Sequence, residues 1–399
     1  MRVHSPVALW DWLNIHVSIM LKNLGEQFMA TMKLKIAELR KEKGIGQQDL
    51  ADKLGVSFQS VSKWETGTTM PDITLLPSIA EYFDVTVDEL LGLKPLRQQD
   101  YIPRNTDNHD TLNEKADKLY KNRKYFWNDD YLKFLVNIVW HIENPINVIE
   151  FRCCNGYLGQ QLLEILPKGS TYTGVDNEYY TKKAKLKFDN TNFDANFIVS
   201  DIYSLETDKK YDFAICQAGL RHMNKQMEVL KKMIASVKKG GLVVCVDINR
   251  EFENDGLYFD EIDYEYLCTT FDFHQVWKKE LACEGRDYAI GMRLPFYMQQ
   301  LGLHDIDIRM NDRVMYVSPE MQNYEEMVQD FIDINGFDKS LNASDREDTI
   351  DFLMNRGIDR AQAENYIQKQ ATIVEYFRKR DNRKSFLKVP GLLITYGRT

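Results

Sequence analysis

The segment VIEFRCCNGYLGQQLLEILPKGSTYTGVDNEYY holds the residues with the clearest chemical meaning. Glu150 and Gly156 precede a helical stretch, and Asp176 lies 20 positions after Gly156. An acidic side chain at that distance from a glycine-containing loop is placed to accept both hydroxyls of a ribose. A second carboxylate, Asp201, follows the next apolar run, where it could accept an adenine amino group. These spacings predict a nucleotide-cofactor site, of a dehydrogenase or of a methyltransferase.

Strands must position these residues at one edge of a sheet. Amphipathic stretches separate most of the apolar runs, a pattern that predicts βαβ units and a parallel sheet. The runs are Asn147–Phe151, Thr171–Asp176, 196–199, 211–216 and 241–248, followed later by 306–317 and 387–396. A helical block at residues 320–380 lies between the last two. The expected fold class is therefore α/β.

The later segments distinguish the two cofactor families. YDFAICQAGLRHM, then a helix, then LKKMIASVKKGGLVVCVDI resembles the fourth and fifth strands of class I S-adenosylmethionine (SAM)-dependent methyltransferases. FWNDDYLKFLV, GRDYAIGMRLPFYMQQLGL and LLITYGRT are also similar to parts of that family. The resemblance implies a Rossmann-like, seven-stranded domain at residues 116–399, with an antiparallel last strand and a helical insertion before it. It also implies SAM as the cofactor, bound by Glu150, Arg152, Gly156, Asp176, Asn177, Asp201, Ile202 and Gln217.

The loop after the first strand departs from the family motif. The family has an acidic residue followed by three alternating glycines, whereas this chain reads Glu150-Phe-Arg152-Cys-Cys154-Asn-Gly156. Glycines there let the backbone approach the methionine end of the cofactor in dihedral angles that other residues rarely adopt. Two outcomes are open. Either Arg152 pairs with the carboxylate of the cofactor, or its bulk fills the pocket and impairs SAM binding.

Catalytic residues are harder to predict, because methyl transfer from a sulfonium depends on in-line positioning more than on an acid or a base. Gln217, Arg221 and His222 follow the fourth strand, at the edge where substrates bind in such sheets. We predict His222 as the catalytic base, since an unperturbed imidazole titrates near neutrality. A structural histidine is the alternative. No cysteines or histidines show zinc-ligand spacing, so no metal is expected.

Residues 32–93 predict a separate all-α module. Glycines at the ends of helical stretches and polar caps at their starts divide it into five short helices. The expected helices are 34–43, Gln47–Leu54, Phe58–Glu65, a fourth capped by Asp72 that reaches Phe83, and a fifth opened by the capping box of Thr86 and Glu89. A helix, a glycine turn and a second helix at this spacing suit insertion of the second helix into the DNA major groove.

The stretch QQDLADKLGVSFQSVSKWETGTTMPDITLLPSIAEYFDVTVDELL closely resembles the Xre-type, phage-repressor-like helix-turn-helix family. The charge distribution agrees, because residues 32–63 carry seven Lys/Arg against four Asp/Glu, whereas residues 64–97 carry two against six. A helical bundle that only docks proteins is the alternative. Such DNA-binding modules commonly read palindromes as dimers, so a homodimer is expected. The resemblance implies duplex DNA as the partner, contacted by Gln47, Ser57, Gln59, Ser60 and Lys63.

Composition sets outer limits on the chain. Its 399 residues, 44% hydrophobic and 28% charged, suit two to three folded domains. Six cysteines without a CxxC pair favour a reducing cytoplasm over a disulfide scaffold. Polar residues interrupt the apolar N-terminus, so no transmembrane span or secretory leader is expected. Residues 1–31 are interpreted as an extension from a mis-called start, with an additional amphipathic helix as the alternative, and residues 94–115 are interpreted as a linker.

A DNA-methylating enzyme is disfavoured. The chain lacks both an Asp/Asn-Pro-Pro-aromatic motif after the fourth strand and a Pro-Cys nucleophile, and residues 98–399 carry 40 Lys/Arg against 48 Asp/Glu. We therefore predict a SAM-dependent methyltransferase of a small molecule, fused to a sequence-specific DNA-binding domain. The alternative is a transcriptional regulator whose methyltransferase-like domain senses SAM or another ligand without catalysis. The Arg152-Cys153-Cys154 loop favours this alternative.

Overall fold

The computed structural model describes residues 34–92, 101–103, 118, 121–250, 256–268, 273–379 and 384–399. They form two compact units. One holds the N-terminal helices together with Ile350–Ala363, and the other holds Tyr101–Thr349 with Glu364–Thr399. The predicted extension at 1–31 and most of the predicted linker at 94–115 lie outside the described residues. Within the described ranges, no helix is long and apolar enough to span a membrane.

Five short helices follow one another near the N-terminus: α1 Ile36–Glu42, α2 Gln47–Leu54, α3 Phe58–Glu65, α4 Leu76–Phe83 and α5 Val87–Leu90. Gly55 ends α2 in the left-handed conformation, with φ of 66°. The Ser57 hydroxyl caps α3 by accepting a hydrogen bond from the backbone N–H of Ser60. Thr86 and Glu89 form the predicted capping box of α5. The helical signals in the sequence are thus confirmed for these elements.

The fourth helix starts later than predicted. It begins at Leu76, and Asp72 does not cap it. The Asp72 carboxylate instead accepts hydrogen bonds from the backbone N–H of Thr74 at 2.8 Å and from its hydroxyl at 2.6 Å. Short polar side chains stabilise turns in this way at the expense of the helix. Pro77 then takes the second helical position, where its missing N–H costs no helical hydrogen bond.

Two sheets form in the α/β unit. Among the described residues, the strands are β1 Asn147–Phe151, β2 Thr171–Asp176, β3 Ala195–Val199, β4 Tyr211–Gln217, β5 Val237–Ile248, β6 Leu257–Phe259, β7 His304–Met310, β8 Met315–Val317, β9 Phe386–Lys388 and β10 Leu392–Arg398. The large sheet has the order β3-β2-β1-β4-β5-β10-β7, and the small one has the order β6-β9-β8. Strands β1 to β5 run parallel, while β10 lies antiparallel between β5 and β7. The predicted Rossmann-like fold class is confirmed.

Helices cover both faces of the large sheet. Along β1, Val148 faces one hydrophobic core and Ile149 faces the other, as expected for alternate residues of a strand buried on both sides. In chain order, the described helices of this part of the chain are α6 Asp129–Phe134 with a π turn at Leu135–Val139, α7 Tyr157–Ile165, α8 Glu178–Phe188, α9 Gln226–Ser236, α10 Tyr264–Cys268, α11 Phe273–Glu284, α12 Ile290–Gln300, α13 Tyr324–Asn335, α14 Ala343–Met354 and α15 Arg360–Arg378. The last three make up the predicted helical insertion before the final strand.

The two late strand predictions were each too long. The run at 306–317 divides into β7 and β8, because Asn311 forms a turn: its Nδ2 donates to the Phe126 carbonyl and its Oδ1 accepts from the Arg313 N–H, both at 2.9 Å. The run at 387–396 divides into β9 and β10. Pro390 lacks an N–H for the ladder, and Gly391 has φ of 62°, so the chain turns there and enters the other sheet.

Candidate cofactor site and DNA-contact helix

The loop between β1 and α7 keeps a left-handed backbone at three alternate positions. The φ angle is 57° at Arg152, 49° at Cys154 and 75° at Gly156. These are the positions at which the family motif has glycine, so the loop has the shape of a glycine-rich turn with one glycine left. A non-glycine residue in a sparsely populated conformation costs on the order of 1–3 kcal/mol. The fold therefore maintains this loop shape against backbone strain.

Asp176, at the end of β2, anchors the loop. Its Oδ2 accepts a hydrogen bond from the Cys154 N–H at 2.9 Å, and its Oδ1 accepts one from the Asn177 N–H at 2.8 Å. A Cβ on Gly156 would lie 2.8 Å from the Phe188 ring, so packing as well as φ requires glycine there. Each carboxylate oxygen can accept a further hydrogen bond. Asp176 can thus hold the loop and still bind a hydroxyl.

Glu150, on β1 beneath the loop, is fully buried. Its Oε2 accepts a hydrogen bond from the Tyr172 hydroxyl at 2.5 Å. Gly159 on α7 makes room for that tyrosine, because a Cβ there would lie 2.3 Å from the Tyr172 ring. Burial raises the pKa of Glu150 to about 7, although the nearby Arg123 charge and the Tyr172 hydrogen bond act in the opposite direction. Glu150 is therefore a carboxyl group that exchanges a proton near neutral pH.

Arg123 is a site residue that the sequence analysis did not predict. Its buried guanidinium donates from Nη2 to the Gln217 carbonyl at 3.0 Å, and from Nη1 to the Cys153 carbonyl at 3.4 Å. Nη1 also lies 3.9 Å from Oε1 of Glu150. The segment KNRKYFW shows only a mixed basic and aromatic pattern. It carries no motif, and its place against β1 and β4 depends on tertiary folding.

Four buried side chains around this loop share an unusual property. Each has a polar atom that lacks a hydrogen-bond partner among the residues described: Nε of Arg123, Oε1 of Glu150, Oδ1 of Asn155 and Nε2 of Gln217. The other amide atom of Gln217, Oε1, accepts a hydrogen bond from the Trp127 indole at 3.1 Å. We call these four residues the polar cluster. Buried polar groups are normally paired, so the cluster points to a polar ligand.

The remaining predicted cofactor residues follow β2 and β3, which lie beside β1 in the sheet. Asn177 caps α8 by accepting a hydrogen bond from the Tyr180 N–H at 3.0 Å. Asp201 is exposed and accepts one from the Tyr203 N–H at 2.7 Å, while Ile202 is buried. No group of three His, Cys, Asp or Glu side chains suited to a metal ion occurs in the described part of the chain.

The turn after β4 carries His222, whose ring is hydrogen-bonded by its neighbour. The Arg221 Nε donates to His222 Nε2 at 3.0 Å. Desolvation of the ring by nearby protein atoms and the positive charge of Arg221 lower the pKa of His222 well below its usual value, although part of the residue is open to solvent. A proton can be accepted at Nε2 only after the bond from Arg221 opens. The role of His222 as a base stays a prediction.

Arg152 extends past the same turn. A Cβ built on Gly219 would lie 3.4 Å from Cδ of Arg152 and 3.5 Å from its Cβ. Glu150, on the preceding strand, lies with Arg123 and Tyr172 and not with Arg152. Arg152 is half-buried and forms no ion pair with any described residue. The structure thus leaves its guanidinium available to a ligand.

In the helical unit, α3 has one buried and one exposed face. Val61 and Trp64 face the core, whereas Gln59 and Lys63, four residues apart, are exposed on the other side. Neither exposed side chain has a hydrogen bond or an ion pair with a described residue. Gln59 can therefore read a base edge, and Lys63 can bind a phosphate.

The other three predicted DNA-contact residues form hydrogen bonds within the helical unit. Ser57 and Ser60 bond to each other through their hydroxyls at 2.9 Å at the start of α3. The Gln47 amide donates to Oε2 of Glu65 at 2.7 Å. Glu65 also pairs with Arg40, whose Nε and Nη2 lie 2.6 and 3.1 Å from its two oxygens. This network, which the sequence reading did not identify, fixes α3 against α1 and α2.

Comparisons with known proteins find two stretches of the chain that match family models. Residues 36–90 match the helix-turn-helix family model, and residues 119–280 match a methyltransferase domain model. The HTH-type transcriptional activator BcrR of Enterococcus faecalis is 44% identical over 58 residues, which are 14% of this chain and 28% of BcrR. A ubiquinone biosynthesis O-methyltransferase of Rickettsia bellii is 24% identical over 108 residues, 27% of this chain and 44% of that enzyme. The chain thus matches less than half the length of either relative.

Solved structures were compared as well. The plantazolicin methyltransferase BpumL in complex with SAH (S-adenosylhomocysteine) aligns with a TM-score of 0.38 and 15% identity, over 73% of this chain and 91% of BpumL. The predicted combination of a helix-turn-helix domain and a methyltransferase domain is confirmed by the two family models.

Proposed function

Because the chain joins an Xre-type helix-turn-helix domain to a class I methyltransferase domain, we propose that it transfers a methyl group from SAM to a small molecule and binds duplex DNA. The observation that carries the enzymatic part is the polar cluster, with its four buried and unpartnered atoms. Leaving such an atom unpaired costs about 1–3 kcal/mol. The amino-acid end of SAM has an ammonium and a carboxylate, which are partners for acceptors and donors alike.

The residues around the loop fit this cofactor. Oε1 of Glu150 is an acceptor for the ammonium group, and Arg123 is a donor for the carboxylate. Asp176 accepts hydrogen bonds from the ribose hydroxyls while it also holds the loop. Asp201 and Ile202, which follow β3, contact the adenine. Gly156, Asn177 and Gln217 shape the site around these contacts.

SAM, when bound, supplies a methyl group activated by a positively charged sulfur. The protein contributes by holding the acceptor in line and by excluding water from the reacting atoms. Gln217 and His222 stand at the carboxyl end of β4, where this acceptor is expected. If the acceptor loses a proton during transfer, His222 can take it after its bond from Arg221 has opened.

A sensor that binds SAM without turnover is the second candidate. The left-handed φ angles of Arg152 and Cys154, both non-glycine residues, favour it, because the family motif has glycine at both positions, where the backbone approaches the ligand. Incubation with methyl-labelled SAM and a small-molecule extract of the host cells separates the candidates. Transfer of label to a molecule in the extract supports the enzyme. Bound SAM without any transfer supports the sensor.

DNA binding is proposed through α3. The exposed face with Gln59 and Lys63 enters the major groove, and the Arg40–Glu65 pair keeps the helix in place. A homodimer that reads a palindromic site remains part of this proposal. Selection of duplexes from a random pool by the full-length protein, followed by sizing of the complex, tests both points. A recovered inverted repeat with two chains bound is the expected result, and failure to enrich any sequence contradicts it.

The cofactor assignment is tested at Asp176. Loss of its charge-assisted hydrogen bonds to the ribose predicts a SAH affinity weaker by about 1.5–3 kcal/mol in Asp176→Ala, measured by calorimetric titration of the full-length protein. Asp176→Asn keeps an oxygen that can accept the Cys154 N–H, and it controls for collapse of the loop. Unchanged SAH affinity in both variants would remove Asp176 from the site.

A further inference from the structure

One cation beside the turn after β4 has no counterion. Arg152 is half-buried, and no described residue forms a hydrogen bond or an ion pair with it. Its aliphatic stem lies against Gly219, immediately before the short helix Leu220–His222. A guanidinium has five N–H donors and no acceptor, and partial burial without an anion costs free energy. The position of Arg152 therefore calls for an anionic partner.

The neighbouring His222 presents a further donor on the same turn. Its Nε2 accepts from Arg221, so in the neutral ring the hydrogen resides on Nδ1, which can only donate. The Tyr288 ring packs edge-on against His222 at 6.4 Å between centroids, and this contact fixes the imidazole plane. The Arg250 guanidinium lies 5.9 Å from the centre of the same tyrosine ring. The surface around His222 thus combines the Arg250 cation and the Nδ1–H donor of His222 with the aromatic ring of Tyr288.

The carboxylates of this region are engaged elsewhere. Asp247 accepts hydrogen bonds from the N–H groups of Arg221 at 3.3 Å and Ile248 at 3.0 Å. Glu284 pairs with Arg286 at 2.6 Å. Asp287 pairs with Arg293 and accepts the Ala289 N–H. The positive charges of Arg221, Arg152, Arg250 and Arg286 add to desolvation in lowering the pKa of His222, which indicates a positive potential at the ring.

We propose that Arg152 and His222 form an anion subsite for the methyl acceptor, which is therefore a small molecule with a carboxylate or a phosphate group. A guanidinium binds either group through two parallel hydrogen bonds, and Nδ1–H of His222 adds a third. The inference rests on the proposed function, since methyl transfer is what makes this edge an acceptor site. It assigns the cofactor carboxylate to Arg123, which lies in the polar cluster, and gives Arg152 a different partner.

The experiment titrates full-length protein saturated with SAH against benzoate, neutral benzamide and inorganic phosphate, and ligand-observed NMR reports binding. The variants are Arg152→Gly, which suits the left-handed backbone and so preserves the loop, and Arg309→Gln, a control on β7. Benzoate or phosphate is expected to bind, and benzamide is not. In Arg152→Gly, the anion affinity should fall about 10- to 100-fold while the SAH affinity stays within about twofold. Arg309→Gln should match the wild type.

Three outcomes overturn the inference. If Arg152→Gly weakens SAH binding and not the anion, Arg152 serves the cofactor carboxylate. If benzamide binds as well as benzoate, the subsite does not recognise the charge of the ligand. If no anion binds the wild type, the subsite does not exist. A wild type that fails to bind SAH contradicts the proposed function instead. The anion titration is then run without SAH and still decides whether Arg152 binds an anion.

Discussion

Glu150 offers a test of the buried site that does not require any ligand. Its pKa is about 7 in the folded protein, against about 4.5 for an ordinary glutamate. At pH 5, Glu150 is protonated in the folded chain and mostly ionised in the unfolded chain. The folded state therefore binds more protons, so this group stabilises the protein at low pH, and its contribution is lost as the pH rises from 4.5 through 7. Glu150→Gln removes this dependence.

The magnitude follows from the pKa difference. About 2.5 pKa units correspond to about 3 kcal/mol, because one unit is 1.36 kcal/mol. Most of this, about 2–3 kcal/mol, falls between pH 5 and pH 8. The free energy of unfolding of Glu150→Gln minus that of the wild type should therefore rise by about 2–3 kcal/mol over this range. The absolute stability of the variant does not matter for this difference.

Urea unfolding at pH 5, 6, 7 and 8, followed by tryptophan fluorescence, measures the difference. The exposed Glu164→Gln on α7 serves as the matched control, and its difference from the wild type sets the baseline. A difference for Glu150→Gln that follows this baseline would refute the raised pKa. Such a flat difference would show that Arg123 outweighs burial and that the carboxylate is ionised in the folded protein from pH 5 upward.

Three further outcomes are expected. Gln59→Ala should weaken specific DNA binding by about 1–3 kcal/mol, and Lys63→Ala should reduce the slope of log affinity against log salt by about 0.9, both measured by fluorescence anisotropy. Gly156→Ala should lower the free energy of unfolding by at least about 1 kcal/mol, because its φ of 75° and the contact with Phe188 both oppose a Cβ; urea unfolding checks this. SAH affinity should rise between pH 5 and 7 in calorimetric titrations, since an ammonium prefers the ionised form of Glu150, and Glu150→Gln should flatten the rise.

Local signals in the sequence predicted much of the fold. The bounds of α2, α3, β1 and β2 agree with the prediction, because glycine ends, a serine cap and apolar runs act within a few residues. Asp72 misled the prediction because a turn and a helix cap use the same side-chain chemistry. The divided runs at 306–317 and 387–396 required knowledge of which sheet each half joins. That choice depends on contacts distant in sequence, such as Asn311 with the Phe126 carbonyl.

The candidate site was only partly predictable for the same reason. Asp176 follows from its spacing after Gly156, and the structure shows it anchoring the loop from the next strand. Arg123 carries no spacing signal, since it reaches β4 across 94 positions of sequence. Arg152 stood out as a departure from the family motif. Its side-chain direction depends on the left-handed φ of 57°, which the residue type alone does not indicate.

The central claim is that the polar cluster receives the amino-acid end of SAM. Calorimetric titration of the full-length protein with SAH and with methylthioadenosine, which keeps the nucleoside and lacks the amino acid, tests it most directly. The account predicts that SAH binds at least about tenfold more tightly, since it satisfies buried donors and acceptors that methylthioadenosine leaves unpaired. Equal affinities for the two compounds, or no binding of either, would contradict it.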